Sequence, residues 1–327
     1  MILAGDIGGT KTLLALFTRE AGPREPLVEL SFSSSEFASL DMIVQRFLAA
    51  HPAPITAACF GVAGPVMAGR AAITNLPWVI EEHTLSQTLG GAAVALINDL
   101  QAFAQSIPYL QSHDIATLSP GEPVAGGAIA VIAPGTGLGE AFLTLEQGRY
   151  RAHPSEGGHA SFAPTNPTEA ALLSYLLEHY SHVSYERVCS GIGIPNIYRY
   201  FRDRVFDSET PHIAARLAEA ADPTPIIVAG ALDPATPCPL CSATLDCFLG
   251  ILGNETGNLA LKVLATGGVY LGGGIPPRLL PQLRGGPLLG AMHSKGRFRE
   301  LLGRMPVHVI LNSKAALYGA AAYALMA

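Results

Sequence analysis

Residues 3–16, LAGDIGGTKTLLAL, decide how the rest of the chain is read. An apolar run ends at Asp6, passes Gly8, Gly9 and Thr10, and returns to an apolar run. That pattern predicts a strand, a tight turn and a second strand. Gly8 and Gly9 allow a turn with positive φ and close approach of an anion. Asp6 at the strand end suits Mg²⁺ held through water, because that ion favours carboxylates with retained waters. Thr10 and the turn amides suit phosphate oxygens. The stretch is close to a Walker A loop but is not one, since Thr10 stands before Lys11 where that motif has glycine. Taken alone it also fits an ordinary hairpin.

The same plan returns in the second part of the chain. Residues 128–133 read as a strand, 134–139 as a glycine turn and 141–145 as a returning strand. Two such units suggest duplicated lobes. Around them strand and helix patterns alternate, as in an α/β domain. Strands are expected at 27–31, 55–62, 92–97 and 307–311. Helices are expected at 40–50, 170–180, 194–204, 213–221, 245–264 and 315–325. Residues 106–123 read as loop-rich, a plausible crossing point.

Several loops carry polar groups suited to chemistry. Asn98-Asp99 follows a buried strand, and a carboxylate at the carboxyl end of such a strand can act on a ligand. Asp99 can take a proton from an attacking hydroxyl while Asn98 orients the acceptor; the pair equally suits a helix N-cap. Glu156 and His159 flank two glycines and can share one pocket, where a carboxylate and a neutral imidazole bind adjacent hydroxyls. Glu186, just before a glycine-containing segment, can add a third polar contact, or sit as a solvated acid at a helix start. In residues 133–139, Gly135, Gly137 and Gly139 strip one edge of side chains, so amides there can line a phosphate. No acidic residue follows at the dinucleotide-binding distance. Residues 266–277 hold Gly272, Gly273 and Gly274 within a glycine-rich run that suits a flat surface against a purine or ribose.

Composition narrows the classes. The chain has 327 residues, enough for two lobes, and 49% hydrophobic against 14% charged residues marks it as globular. A net charge of −6 with scattered basic residues argues against a nucleic-acid surface. No stretch reaches the roughly 18 apolar residues of a membrane helix. The start, MILAGDIGG, has no basic region or cleavage site, so no signal peptide is expected and a cytoplasmic location is. Five cysteines are then expected as reduced thiols. Cys238, Cys241 and Cys247 invite a zinc or redox reading, but no fourth ligand or second tight pair stands nearby.

With these loops in order the chain resembles the proteobacterial-type glucokinases of the actin-like sugar-kinase superfamily. The matching stretches are GDIGGTKT (5–12), FGVAGPV (60–66), TNLPW (74–78), IND (97–99), APGTGLGEA (133–141), EGGHASFAP (156–164), ERVCSGIG (186–193) and GGVYLGGGIPPR (267–278). The resemblance implies an α/β, two-lobed actin-like (ribonuclease H-like) hexokinase fold with an inter-lobe active-site cleft. It implies a small lobe from 1–108 plus 304–327 and a large lobe from 109–303. The activity implied is transfer of the ATP γ-phosphoryl to the 6-hydroxyl of glucose. Asp99 would be the base. Asn98, Glu156, His159 and Glu186 would bind the sugar, with Asn75 and Gly64 nearby. Asp6, Gly8, Gly9 and Thr10, with Gly135, Thr136 and Gly137, would hold the phosphates and Mg²⁺. Gly272, Gly273 and Gly274 would flank the adenosine. The family is commonly homodimeric.

The related ROK branch (repressor, open reading frame, kinase) shares several of these loops, but its zinc signature is absent and no repressor helix-turn-helix is expected here. Two rivals remain open on sequence: a kinase for mannose, fructose or an N-acetylhexosamine, and a sugar sensor that keeps the pocket.

Overall fold

The computed structural model describes residues 1–73 and 76–326. The chain forms two compact units. One holds Met1–Ile115, Ala141–Pro154 and Asn312–Ala327; the other holds Ala116–Glu140 and Ser155–Leu311. Among the described residues no helix is long and apolar enough to cross a membrane.

The first unit is built on a five-stranded sheet. Strands β1 (Ile2–Ile7), β2 (Lys11–Phe17) and β3 (Val28–Ser33) are antiparallel neighbours. Helix α1 (Leu40–Ala50) precedes β4 (Ala57–Val62), which runs parallel to β1. Strands β5 (Val66–Met67), β6 (Arg70–Ala72) and β7 (Val79–Glu81) make a small separate sheet. Helix α2 (Glu82–Thr88) leads to β8 (Ala93–Asn98), parallel to β4, and α3 (Asp99–Gln105) follows at once. The sheet order is β3-β2-β1-β4-β8.

Side chains alternate across this sheet with a period of two. Leu3 and Ile7 of β1 join Ile43, Val44 and Phe47 of α1 in one core. Ile2 and Ala4 face the other way, against Ala102 of α3 and Leu317, Ala320 and Ala321 of the C-terminal helix, Ala315–Met326. The small residues of that helix let it lie close to its neighbours. At Gly319 a Cβ would collide with the carbonyl oxygen of Ala102, so only glycine permits the crossing.

A second sheet has six strands. Its strands are β9 (Ile115–Ser119), β10 (Ile129–Pro134), β11 (Leu138–Glu146) and β12 (Arg149–Ser155). Helices α4 (Pro167–Leu177), α5 (Gly193–Arg204), α6 (Pro211–Glu219) and α7 (Thr224–Leu232) come next. They lead to the long α8 (Pro239–Val263), apolar on nearly every side and mostly buried. Strand β13 (Gly268–Leu271), short helices α9 (Leu280–Gly285), α10 (Leu288–His293) and α11 (Arg299–Gly303), and β14 (Val307–Ile310) complete it. The order is β12-β11-β10-β13-β14-β9, with β10, β13 and β14 parallel. A three-strand succession followed by parallel partners thus occurs in both large sheets, as the repeated strand-turn-strand pattern led us to expect.

The Gly319 crossing yields a stability prediction. Forcing a branched side chain into a close-packed contact typically costs 1–3 kcal/mol. Gly319→Val is expected to lower unfolding free energy by about 2 kcal/mol or more in urea titrations. An unchanged midpoint would mean that the helix crossing has slack.

Candidate functional site

In the first unit, parallel pairing lines up the carboxyl ends of three strands. Asp6 stands opposite Gly61, and Gly61 opposite Ile97. Alternation puts Asp6 on the face shared with α3, and Asp99 is the first residue of that helix. Gly61 has room only for hydrogen, because a Cβ there would press on Ala102. Helix α3 therefore packs down onto β4 and its first turn comes close to Asp6. Burial pushes the Asp6 carboxyl up to about 6, the negative charge of Asp99 adds to this, and Lys11 opposes it.

Asn98 is the N-cap of α3. Its Oδ1 accepts from the amides of Leu100 at 2.9 Å and Gln101 at 3.4 Å. Its Nδ2 donates to the carbonyl of Gly64 at 3.2 Å. The amide side chain thus fixes both the helix start and the loop after β4, where Gly64 has φ 147°. Asp99 accepts from the Leu100 amide at 2.8 Å. Asn75 lies outside the described residues.

The β1–β2 turn does not use the positive φ that its glycines allow: neither Gly8 nor Gly9 has one. The turn instead closes by the Gly8 amide donating to the Lys11 carbonyl at 2.9 Å. Ser34 buttresses it, its hydroxyl donating to the Gly8 carbonyl at 2.8 Å and its amide to the Thr10 carbonyl at 3.0 Å. The glycines serve close approach, since a Cβ at Gly8 would sit 3.1 Å from the Lys11 carbonyl. Thr10 is exposed.

In the second unit the start of β11 is a platform. The Leu138 amide donates to Glu186 Oε2 at 3.1 Å. Gly158 packs so tightly on the Leu138 carbonyl that no Cβ fits. The short 3₁₀ turn Gly157–His159 is closed by the His159 amide donating to the Glu156 carbonyl at 3.0 Å. Ser155 Oγ accepts from the Gly157 amide at 3.0 Å. His159 then lies 3.8 Å from Glu156 and 4.0 Å from Glu186. Glu156 and His159 are 75% and 60% exposed and Glu186 is 21% exposed, so the trio has an open side for a polyol. The structure thus brings together the three residues that the sequence offered as one pocket.

The glycine turns of this unit also meet. Gly135 donates to the Gly137 carbonyl at 2.9 Å, so its amide is spent inside the turn. The Gly191 amide donates to the Gly135 carbonyl at 2.7 Å and the Ile192 amide to the Thr136 carbonyl at 3.2 Å. The Gly272 amide reaches the Ile132 carbonyl at 2.9 Å, and Gly273, with φ 79°, packs on the carbonyl of Pro134. Residues 135–137 and 272–274 therefore flank the carboxyl ends of the parallel pair β10 and β13.

Two acids went unread in the sequence. Glu140 on β11 and Glu255 on α8 are 2% and 0% exposed. Burial, then the charge of Glu255, pushes the Glu140 carboxyl up to about 8. The charged pattern of a strand ordinarily means solvent, and nothing in the spacing marks Glu140 as buried.

The raised Asp6 carboxyl sets a pH-dependent prediction. The folded chain binds this proton more tightly than the unfolded chain. Its stabilising contribution is complete below the ordinary carboxylate range and is lost as pH rises through about 6. Asp6→Asn is expected to melt several degrees higher than the parent at pH 7.5, with the advantage gone by pH 4. Equal melting temperatures at both pH values would contradict the electrostatic account.

Comparison with known proteins gives the family. The Glucokinase family model matches residues 3–327. A glucokinase of Nostoc punctiforme is 42% identical, covering 98% of both chains, and one of Yersinia pestis is 36% identical, covering 98% of this chain and 95% of its own. Among solved structures, a glucokinase from an Antarctic psychrotroph has a TM-score of 0.84 at 32% identity, over 100% of this chain and 99% of its own. A ROK family glucokinase from Streptomyces griseus, in complex with glucose and AMPPNP, shares the fold at a TM-score of 0.62 and 22% identity, over 100% and 99% of the two chains. The family model and these near-full-length relatives show that this chain belongs to the glucokinase family.

Proposed function

We propose that the chain transfers the γ-phosphoryl group of ATP to the 6-hydroxyl of glucose, with Asp99 as general base. The observation that carries this reading is the placement of Asp99 at the first residue of α3, beside Asp6 at the carboxyl edge of the parallel strands. A rigid helix start held by the Asn98 cap fixes the carboxylate that must meet one hydroxyl. The Streptomyces griseus neighbour holds glucose and an ATP analogue on the same fold, which supports the substrate pair.

In this reading the sugar hydroxyls bind Glu156, His159 and Glu186, with Asn98 and Gly64 contributing beside Asp99. Carboxylates accept two hydroxyl hydrogen bonds and the imidazole adds a donor or acceptor. The 6-hydroxyl oxygen attacks the γ-phosphorus, its proton passes to Asp99, and the bond to the bridging oxygen of ADP breaks. The amides of Thr136 and Gly137 and the β1–β2 turn (Gly8, Gly9, Thr10) would receive phosphate oxygens. Gly272–Gly274 would lie along the adenosine.

The groups around Asp6 fit Mg²⁺. They are oxygen donors, and the mutual repulsion of Asp6 and Asp99 is what a divalent cation would relieve. Asp6 would hold the ion through water, and the ion would neutralise triphosphate charge.

The first test is Mg·ATP-dependent formation of glucose 6-phosphate by the purified chain, with mannose and fructose as parallel acceptors. Turnover mainly on another hexose would replace the substrate. No turnover on any hexose, with sugar-induced stabilisation, would make the chain a sensor. Asp99→Asn is expected to lower kcat by at least ~100-fold while KM for glucose stays near the parent value. Nearly full turnover in that variant would remove Asp99 as the base. Glu156→Gln is expected to raise KM for glucose about tenfold or more, because charged hydrogen bonds to hydroxyls are lost; an unchanged KM would take Glu156 out of the sugar site.

A further inference from the structure

The buried pair Glu140 and Glu255 is not used by this mechanism, yet it lies directly under the loop that carries Glu156 and His159. The Glu140 carboxyl fills the space where a side chain on Gly157 would stand. The negative charge of Glu255 bears on it within the buried site, and its Oε1 has no hydrogen-bond partner among the described residues. Two buried carboxyl groups that repel each other are accommodated when one of them keeps its proton. Glu255 is already engaged as an acceptor, from Asn258 Nδ2 at 2.8 Å and Lys262 Nζ at 3.4 Å. Glu140 is therefore the member that carries the proton.

We propose that protonated Glu140 is a positioning residue that holds the Glu156–His159 loop in its sugar-gripping shape, so that loss of this proton loosens the loop and weakens glucose binding. The inference rests on the sugar site proposed above. With the proton gone, two anions would face each other in a buried site, and Glu140 would move away from Glu255 and press on Gly157. The backbone at Gly157 and Gly158 has no slack to absorb this, because Gly158 is seated on Leu138.

Other ionisable groups surround the pair. Lys262 faces it from α8, Tyr185 and Cys189 from the segment before α5, and Lys295, which donates to Asn258 at 2.7 Å, from the turn after α10. Burial holds Tyr185 and Cys189 above their ordinary values, so both stay neutral through mildly alkaline pH. Burial also pulls Lys295 down. Glu156, His159 and Glu186 stand on the open side. All of these remain in a Glu140→Gln variant, whose amide fills nearly the same space but cannot ionise.

The experiment is the pH profile of kcat and of KM for glucose between pH 6.5 and 9, in parent and Glu140→Gln. The parent KM is expected to rise about tenfold across the range with kcat changing less than about twofold, and the variant KM to stay flat within about twofold. A flat parent profile, or an equal rise in parent and Glu140→Gln, would overturn the proposal. Should Glu140→Gln not fold, Glu255→Gln serves instead, and an unshifted alkaline rise there would overturn it equally.

Thermal melting separates this idea from the sugar-kinase reading. The folded chain holds the Glu140 proton more tightly than the unfolded chain, so the stability it supplies is lost as pH rises through the mildly alkaline range. The parent melting temperature should therefore fall relative to Glu140→Gln from pH 6.5 to 9. That fall without any hexose phosphorylation would sink the sugar-kinase reading and leave the buried proton standing. Phosphorylation with no such fall would sink the role of Glu140 alone.

Discussion

The parallel register of β1, β4 and β8 is the constraint on which the first unit depends. Parallel strands end at one edge, and hydrogen bonding leaves little freedom in where each end falls. Once Asp6, Gly61 and Ile97 are in line, the chain after β8 must turn at that edge. Asn98 converts the turn into a helix by taking its first free amides. The carboxylate of Asp99 is thus placed by backbone geometry and a single cap, with no long side chain to order.

Both large sheets solve the same problem with the same parts. A strand ends in a small-residue turn, a returning strand closes it, and parallel neighbours bring further loops to the same edge. The units differ in what the edge presents. In the first it is two acids. In the second it is stitched glycine turns beside a polar trio, braced by Leu138, whose amide and carbonyl serve Glu186 and Gly158 respectively.

Much of this was legible in the sequence, for identifiable reasons. Helix α1 shows one apolar face through Leu40, Ile43, Val44 and Phe47, and its bounds match the periodicity. The long helix α8 begins before its apolar run, at Pro239, because Cys238 caps it through sulfur, accepting from the Cys241 amide at 3.4 Å. Strands β5 to β7 have two or three residues each, too few to show a period. At Gly8 and Gly9 the residue type permits a positive φ without requiring one, and the chain uses their lack of a side chain instead. Glu140 and Glu255 were hidden because burial of a charged residue depends on tertiary partners distant in the sequence. The trio of Glu156, His159 and Glu186 was legible because glycines around them left few other uses.

The C-terminal helix has a consequence for how the protein is made. One face of the first sheet, with Ile2, Ala4, Phe17 and Cys59, is covered by a helix that lies far later in the chain, Ala315–Met326. Until that helix leaves the ribosome, the apolar face has no cover of its own. A sheet made early is therefore covered late, and a nascent chain stalled before Ala315 would offer a sticky surface to chaperones or to its neighbours on a polysome.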